Sequence, residues 1–538
     1  MATAHEVTAP ATLSASASAS RTASTVSKYA QFCLADQAFV FFLITAVDEK
    51  RSADDKYDGE QANGDSWAAT TSAALSADWT EAEEAAVRWK LDLIVMPLLW
   101  LGFFVFQLER GNISNALTDG FLKAVGITQD QFNTGQGVLY LGIVLLEIPS
   151  NVLLNKFSAQ KWLTIQVFAF GLVATFQAWQ HNYASFLATR ILLGVTECGY
   201  IPGALYTIST FYKRSELARR NAIFFTATAT ASACSGLLAT GILPLAGTDG
   251  LAGWRWIFIV EGCMALFVAL LFLAFMPASP ARPTAILLAN RVNYFTERER
   301  YILLARVVLD DARKTDQNRP LTWADIRSTL TNWRVYPHLL VTMAPIASVG
   351  AIGTYSPTII KSLKFSTLKA NALSSVGGSI LVVMMVVGGI LSDKTKARGL
   401  LVIAGLTFLW VWWIVLQQVS LGTDKWTKFA FLSLVNGFGT CWHPMNATWL
   451  SLNQATPQQR SVAMAMFVMA ANTGAAVGSQ IMRASDAPLY RKGFVANLCL
   501  VSAGLAFAIG QSVQYRWSNK RLRRGELSSE DRVDKYHP

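Results

Sequence analysis

From residue 88 onward the chain alternates long apolar stretches with short polar connections. A helix needs about 20 mostly apolar residues to cross a bilayer. Twelve stretches meet that length, at roughly 93–117, 133–155, 162–180, 184–208, 221–245, 255–276, 335–360, 370–391, 399–420, 427–450, 461–482 and 493–515. One connection breaks the rhythm: 277–333 is long and charged. The pattern predicts an all-α membrane protein of twelve transmembrane helices. They fall into a six-helix bundle over 88–276, a cytosolic central loop over 277–333 and a second six-helix bundle over 334–515.

Two six-span halves joined by a long loop is a layout of secondary transporters. The ends differ from the middle. Residues 1–87 read as a cytosolic, partly disordered acidic segment, with a Ser/Ala/Thr-rich run over 11–25. Within it, Ala38–Val47 is apolar but only ten residues long, too short to span, and it lacks the basic start of a cleaved signal; it reads as a cytosolic or surface helix. Residues 516–538 form a basic cytosolic tail suited to anionic lipid.

Composition agrees with the pattern. Apolar residues make up 52% of the chain and charged ones 15%, against about 25% charged in an ordinary soluble domain. Seventeen Trp and thirty Phe exceed the needs of one soluble core. The net charge of +11 suggests nucleic acid until it is resolved by position. Residues 1–87 carry a net of −8 and the remainder +19, so the basic part is also the apolar part. With the N-terminus in the cytosol, the cytosolic connections from Arg88 onward hold 29 Lys/Arg and the outer ones hold 10. That bias places both termini inside and excludes a nucleic-acid patch. Lys361, Lys364 and Lys369 run against it, as a solvated rim or as an electrostatic funnel for an anion. The six Cys are isolated and form no cluster with His, so neither a metal nor a disulfide is expected. No Gly-rich phosphate loop follows a strand, so uphill transport would draw on an ion gradient and no cofactor is expected.

The remaining Lys/Arg of the basic part, Arg110 and Arg190, fall inside spans. A charge at mid-bilayer costs at least about 2.5–3.5 kcal/mol, so it lines a cavity or finds a partner. Glu109-Arg110 completes the first span, either as a proton-titrating carboxylate beside an anion-binding guanidinium or as an interfacial pair. Arg190 and Glu197 lie seven residues apart in the fourth span; that is about 340° of rotation and 10.5 Å of rise, so they share a face but cannot pair directly. Arg110 with Glu197 and Glu109 with Arg190 are the economical pairings, serving substrate or structure. Glu147, before Pro149, could gate or pair structurally. Glu261 is expected to pair with a basic loop residue. His443, beside Pro444, is a core histidine or a proton relay. A buried arginine stays charged and grips a carboxylate or sulfonate bidentately. Binding that anion cancels the arginine's field at a nearby carboxylate, which then takes a proton more easily; the two ligands favour each other.

Gly389-Ile-Leu-Ser-Asp393-Lys394-Thr-Lys396-Ala-Arg398 resembles the loop signature of the major facilitator superfamily. The matching first-half loop, Asn155–Lys161, keeps basic residues but lacks the Gly and Asp. More specifically, the chain resembles the anion:cation symporter family and its fungal allantoate permease group. The motifs are Lys90-Leu-Asp92, Pro97-Leu-Leu-Trp100, Arg110-Gly-Asn112-Ile-Ser-Asn115-Ala, Glu147-Ile-Pro149-Ser150-Asn151, Arg190-Ile-Leu-Leu-Gly194 with Glu197, Gly253-Trp-Arg-Trp256 with Glu261-Gly262, and Asp486-Ala-Pro488-Leu-Tyr490. The stretch over 107–119 with 141–147 looks most like carriers of sulfate and organic sulfonates.

The resemblance implies the major facilitator fold. It makes Arg110 and Arg190 substrate ligands and Glu109 and Glu197 proton-coupling sites; Asn112 is a further candidate substrate ligand and Glu147 a further candidate proton-coupling residue. It makes Gly389, Asp393, Lys394 and Arg398 a helix latch. Where the family commonly has Asp, this chain has Glu109. The expected function is import of a small anion (an organic acid, a vitamin or a sulfur anion) in symport with protons, by a monomer in the plasma membrane. The alternatives are an antiporter or facilitator that exports a metabolite, and a nutrient sensor that does not translocate. No nucleophile–base or metal constellation suggests an enzyme.

Overall fold

A computed structural model describes residues 78–288, 293–310, 323–419, 423–454, 457–486, 490–524 and 536. The run Ala38–Val47 lies outside the described residues. Those described are helical, with no strand among them. In chain order the helices are α1 (Glu81–Thr118), α2 (Phe121–Val125), α3 (Gln129–Phe157), α4 (Ala159–Phe176), α5 (Tyr183–Glu197), α6 (Tyr200–Phe211), α7 (Arg214–Ile242), α8 (Gly253–Phe275), α9 (Glu297–Asp310), α10 (Trp323–Thr331), α11 (Tyr336–Ser362), α12 (Thr367–Thr395), α13 (Arg398–Gln418), α14 (Lys425–Gly437), α15 (His443–Leu452), α16 (Pro457–Gly478) and α17 (Arg491–Arg523). Each of the twelve apolar stretches coincides with one long helix or with a broken pair, and among the described residues ten segments are long and apolar enough to cross a membrane. This is an all-α, multi-pass membrane fold.

Local chemistry sets the helix starts. Thr80 and Thr128 each cap a helix reciprocally with Glu83 and Gln131, which satisfies two orphan N–H groups per end. The fourth span divides into α5 and α6 at Cys198–Gly199. Pro202 cannot donate to the carbonyl four residues back. Gly199 is required as well, because a Cβ there would lie 1.8 Å from Ser150 Oγ and 2.6 Å from Gln166 Nε2. The break leaves Glu197 as the last residue of α5. The tenth span divides likewise, with Pro444 in the first turn of α15.

Aromatic packing fills the first half below the charged residues. Phe103 stacks on Phe224 at 4.5 Å, Phe106 on Tyr200 at 5.6 Å, and Phe170 meets Phe106 edge-on at 5.9 Å. In the second half α16 crosses α11 backbone to backbone. A Cβ on Gly478 would stand 2.3 Å from the Ala347 carbonyl oxygen, with no flexible group able to yield. Gly478→Val should therefore cost about 1–3 kcal/mol and lower the melting temperature in detergent. Gly389→Val, at a position with nothing within 4 Å, should leave it unchanged; equal melting of the two variants would refute this packing argument.

The charged segment between the halves holds two helices. Of these, α9 docks on the first half: Lys90 pairs with Glu299 at 2.5 Å, Arg298 with Asp78 at 3.2 Å and Glu83 at 3.4 Å, and the buried Arg306 with Glu216. Asp92 receives a two-pronged hydrogen bond from Arg220 at 2.8 and 2.7 Å. This clasp was not legible in the sequence, since its partners lie up to 220 positions apart.

Hydrogen bonds between the halves gather where α1, α7 and α11 finish, which the Lys/Arg bias makes the outer end. The Thr118 carbonyl accepts from Lys361 Nζ at 2.5 Å and its hydroxyl accepts from Asn371 Nδ2 at 2.8 Å. Asn133 accepts from the Tyr355 hydroxyl and donates to the Met482 carbonyl at 2.7 Å, while its own carbonyl accepts from Gln480 Nε2 at 2.8 Å. Lys361 is thus built into this seam.

Candidate functional site

Successive residues on a helix point about 100° apart, so Glu109 and Arg110 leave α1 in different directions. Both meet α5. Arg110 Nε donates to Glu197 Oε2 at 2.8 Å, which is the pairing expected from the sequence. The Glu197 side chain is fully enclosed, whereas Arg110 keeps 17% of its side-chain surface open. Its guanidinium lies over the Phe106 ring at 4.3 Å and near Tyr140 at 5.6 Å. Such stacking suits a planar cation.

The second expected pairing is indirect. Glu109 and Arg190 are buried and joined through Gln177: its Nε2 donates to Glu109 Oε1 at 2.5 Å, and its Oε1 accepts from Arg190 Nη2. Gln177, fully enclosed, opens the 3-10 turn Gln177–Trp179 that ends α4. Arg190 also donates to Gln136 Oε1 at 3.3 Å and lies over the Phe186 ring at 5.4 Å. The sequence offered no sign of Gln177, because an isolated glutamine at the end of an apolar stretch resembles any span terminus. Gln136 and Tyr140 were legible in principle: four residues apart on α3, they share a face.

Across α1 and α5 the cluster holds two guanidiniums and two carboxylates, which compensate one another in a medium where a lone charge is expensive. The Glu109 and Glu197 carboxyls are close enough to interact. Among the described residues, Glu109 Oε2, Glu197 Oε1 and Arg190 Nε have no hydrogen-bond partner, so the cluster retains hydrogen-bonding capacity toward a further polar group.

The other expected site residues fall elsewhere. Asn112 is fully enclosed with neither amide atom partnered, and it stands about 200° around α1 from Arg110; the structure does not bring it beside that guanidinium. Glu147 is buried and unpartnered on α3. Seven residues from Tyr140, it shares that residue's face about 10.5 Å farther along. Glu261 was expected to pair with a basic loop residue; instead both its oxygens are buried without a hydrogen-bond partner among the described residues. The Trp254–Asp119 hydrogen bond and the contact of Gly102 with Phe272 set the antiparallel register of α1 and α8, and that register counts Glu261 level with Asn112. His443 stacks on Phe467 at 4.7 Å. Of the latch residues, Gly389 and Lys394 are exposed near the end of α12 and Arg398 opens α13; the Asp393 side chain lies outside what is described.

Residues 99–479 match the family model described as Major Facilitator Superfamily. An uncharacterized transporter of Saccharomyces cerevisiae, YIL166C, is 30% identical over 446 residues, covering 82% of both chains. The major facilitator-type transporter hxnP of Emericella nidulans is 28% identical, covering 78% of this chain and 83% of its own. Among solved structures, the Escherichia coli xylose transporter XylE in a partially occluded inward-open conformation aligns with a TM-score of 0.58 at 14% identity, over 77% of this chain and 96% of XylE. A bacterial homolog of the human lysosomal transporter Spinster aligns at 0.59 and 14% identity, over 81% of this chain and 98% of its own.

Proposed function

Since the chain belongs to the major facilitator superfamily, and is thus a membrane transporter and no enzyme, we propose that it imports a small anion across the plasma membrane in symport with protons. The carrying observation is the cluster of Arg110, Arg190, Glu109 and Glu197, which is neutral when both carboxyls are ionised. An anion entering alone would leave the cluster one charge short. An anion entering with one proton on Glu109 or Glu197 restores neutrality, and the proton also relieves the repulsion between the two carboxylates. Linkage then makes each ligand strengthen the other. A neutral substrate would need neither guanidinium.

Arg110, the partly exposed member, is the first contact for the anion, and Arg190 is the deeper one. Glu147 stands two turns farther along the α3 face, toward the end that the Lys/Arg bias assigns to the cytosol, as a station for the departing proton. Inside the anion class, the resemblance to the allantoate permease group favours an organic acid, a vitamin, or sulfate or a sulfonate. A single chain holds the whole cluster, so a monomer suffices.

The test is uptake of labelled sulfate, taurine, allantoate, nicotinate and pantothenate by cells lacking their own carriers, at two external pH values. At least one anion should accumulate, and faster at the lower pH. Accumulation that ignores external pH, or loss of preloaded anion in place of uptake, would overturn proton-coupled import.

A further inference from the structure

We infer that Gln177 is a coupling relay, whose side-chain amide turns over when Glu109 takes a proton and thereby releases Arg190 to the anion. The inference rests on the proton and anion roles proposed above for Glu109 and Arg190. It begins from a restriction of chemistry. An ionised carboxylate only accepts hydrogen bonds, a guanidinium only donates, and an amide does one at each end. Placed between the two, Gln177 has one satisfactory orientation, with Nε2 toward Glu109 and Oε1 toward Arg190, and that is the orientation present. Turned over, it would set oxygen against carboxylate and N–H against guanidinium.

A proton on Glu109 reverses the preference. On Glu109 Oε1, the oxygen that Gln177 contacts, the new O–H is a donor and needs an acceptor, which Gln177 supplies as its own Oε1 after a half turn about its terminal torsion, a soft rotation for an amide. The NH2 then faces Arg190, donor to donor. Arg190 loses its closest acceptor and keeps Gln136 at 3.3 Å; its released N–H groups, with the unpartnered Nε, become available to an anion. Loss of the proton to the opposite side returns the amide and recaptures Arg190, so the anion is let go. No bond is made or broken beyond the transfer of that one proton onto and off Glu109.

The surroundings permit this motion and little else. The turn's backbone is pinned, because the Gln177 N–H bonds back into α4, the Ala178 carbonyl accepts from Arg255 Nη1, and the Gln180 N–H donates to the Gln177 carbonyl at 3.3 Å. The amide is therefore the free element. The groups facing Glu109 are few. From α5 come Arg190 and Glu197, the latter held by Arg110 at 2.8 Å; from α3 comes Tyr140; and from the end of α4 comes Gln177 itself. Of the other helices packed on α1, α7 presents Ser235 to Asn115, α8 carries Glu261 level with Asn112, and α11 reaches it through Lys361 at Thr118. None of these offers Arg190 the acceptor that Gln177 does.

The experiment measures anion affinity of the purified full chain at pH 5.5 and 7.5, using whichever of labelled sulfate, taurine, allantoate, nicotinate or pantothenate the unaltered protein carries. The unaltered protein should bind on the order of tenfold more tightly at the lower pH, a coupling of ordinary size. Gln177→Met keeps the length and bulk that separate Glu109 from Arg190 but can neither donate nor accept. It should bind about equally at the two pH values, and more tightly than the unaltered protein at pH 7.5, because nothing sequesters Arg190. A merely structural role would lower affinity at both. Gln177→Glu, which grips Arg190 with a carboxylate, should bind least at pH 7.5. If Gln177→Met fails to accumulate in membranes, Gln177→Asn, too short to reach both partners, should show the same flattening. A variant that keeps the full pH dependence overturns the relay while leaving proton-coupled transport standing. An unaltered protein without pH dependence overturns both.

Discussion

Arg190→Ala should reduce anion uptake by at least about a hundredfold, to background. Truncating one member of a buried, hydrogen-bonded charge set costs about 3–5 kcal/mol, and each 1.4 kcal/mol is a factor of ten in affinity. Arg190 is 1% exposed and bonded to Gln177 and Gln136. Alanine therefore removes the deeper anion ligand and also leaves Glu109 facing an amide that no cation balances. Arg190→Lys separates the two consequences. It keeps the charge, so the protein should reach the membrane and melt near the unaltered temperature, but a point-like ammonium lacks the planar fork and should transport poorly. Membrane abundance, melting temperature and uptake measured together decide the matter. Undiminished uptake by the alanine variant would sink the anion site.

The second large effect concerns coupling. In the double variant Glu109→Gln with Glu197→Gln, both arginines remain and both proton acceptors vanish. The anion should still bind, since each guanidinium loses a competing carboxylate. It should no longer be concentrated by an acid-outside gradient, so net accumulation should fall to equilibration while exchange of internal for external anion persists. The single variants should differ. Glu197→Gln removes the negative charge paired at 2.8 Å with the partly exposed Arg110 and acts chiefly on anion capture. Glu109→Gln leaves that pair intact and removes the acceptor-only carboxylate that fixes the orientation of Gln177. If the double variant still concentrates anion against its gradient when the outside is acid, protons are carried elsewhere, and the buried, unpartnered Glu261 or Glu147 would take up the assignment.

The sequence and the structure contributed different kinds of information, and the two halves of the charge cluster show where they part. That Arg190 and Glu197 share one face of α5 follows from seven residues at 100° each, with no neighbour needed. That Arg110 meets Glu197 was one economical choice among pairings, and the distance selected it. That Glu109 and Arg190 are joined through Gln177 could not be counted from any spacing, because Gln177 arrives from the end of another helix. Glu261 shows the reverse. Its position shortly after Arg255, near the start of its span, suggested a basic partner, but the antiparallel register of α8 on α1 carries it to the level of Asn112.

The chain by itself determined the all-α, multi-pass character of the fold, the Lys/Arg asymmetry and the identity of the few charges within the apolar stretches. Each of these depends on local hydropathy and helical period, which are properties of contiguous residues. Only the tertiary structure decided which charge meets which, that the seam between the halves closes where Thr118, Asn133 and Lys361 lie, that α9 is clasped to the first half, and that a glutamine stands between the deeper pair. These depend on the register and rotation of one helix against another. That geometry is set by close backbone approaches, such as those at Gly199 and Gly478, between segments far apart in sequence, and no local pattern records it.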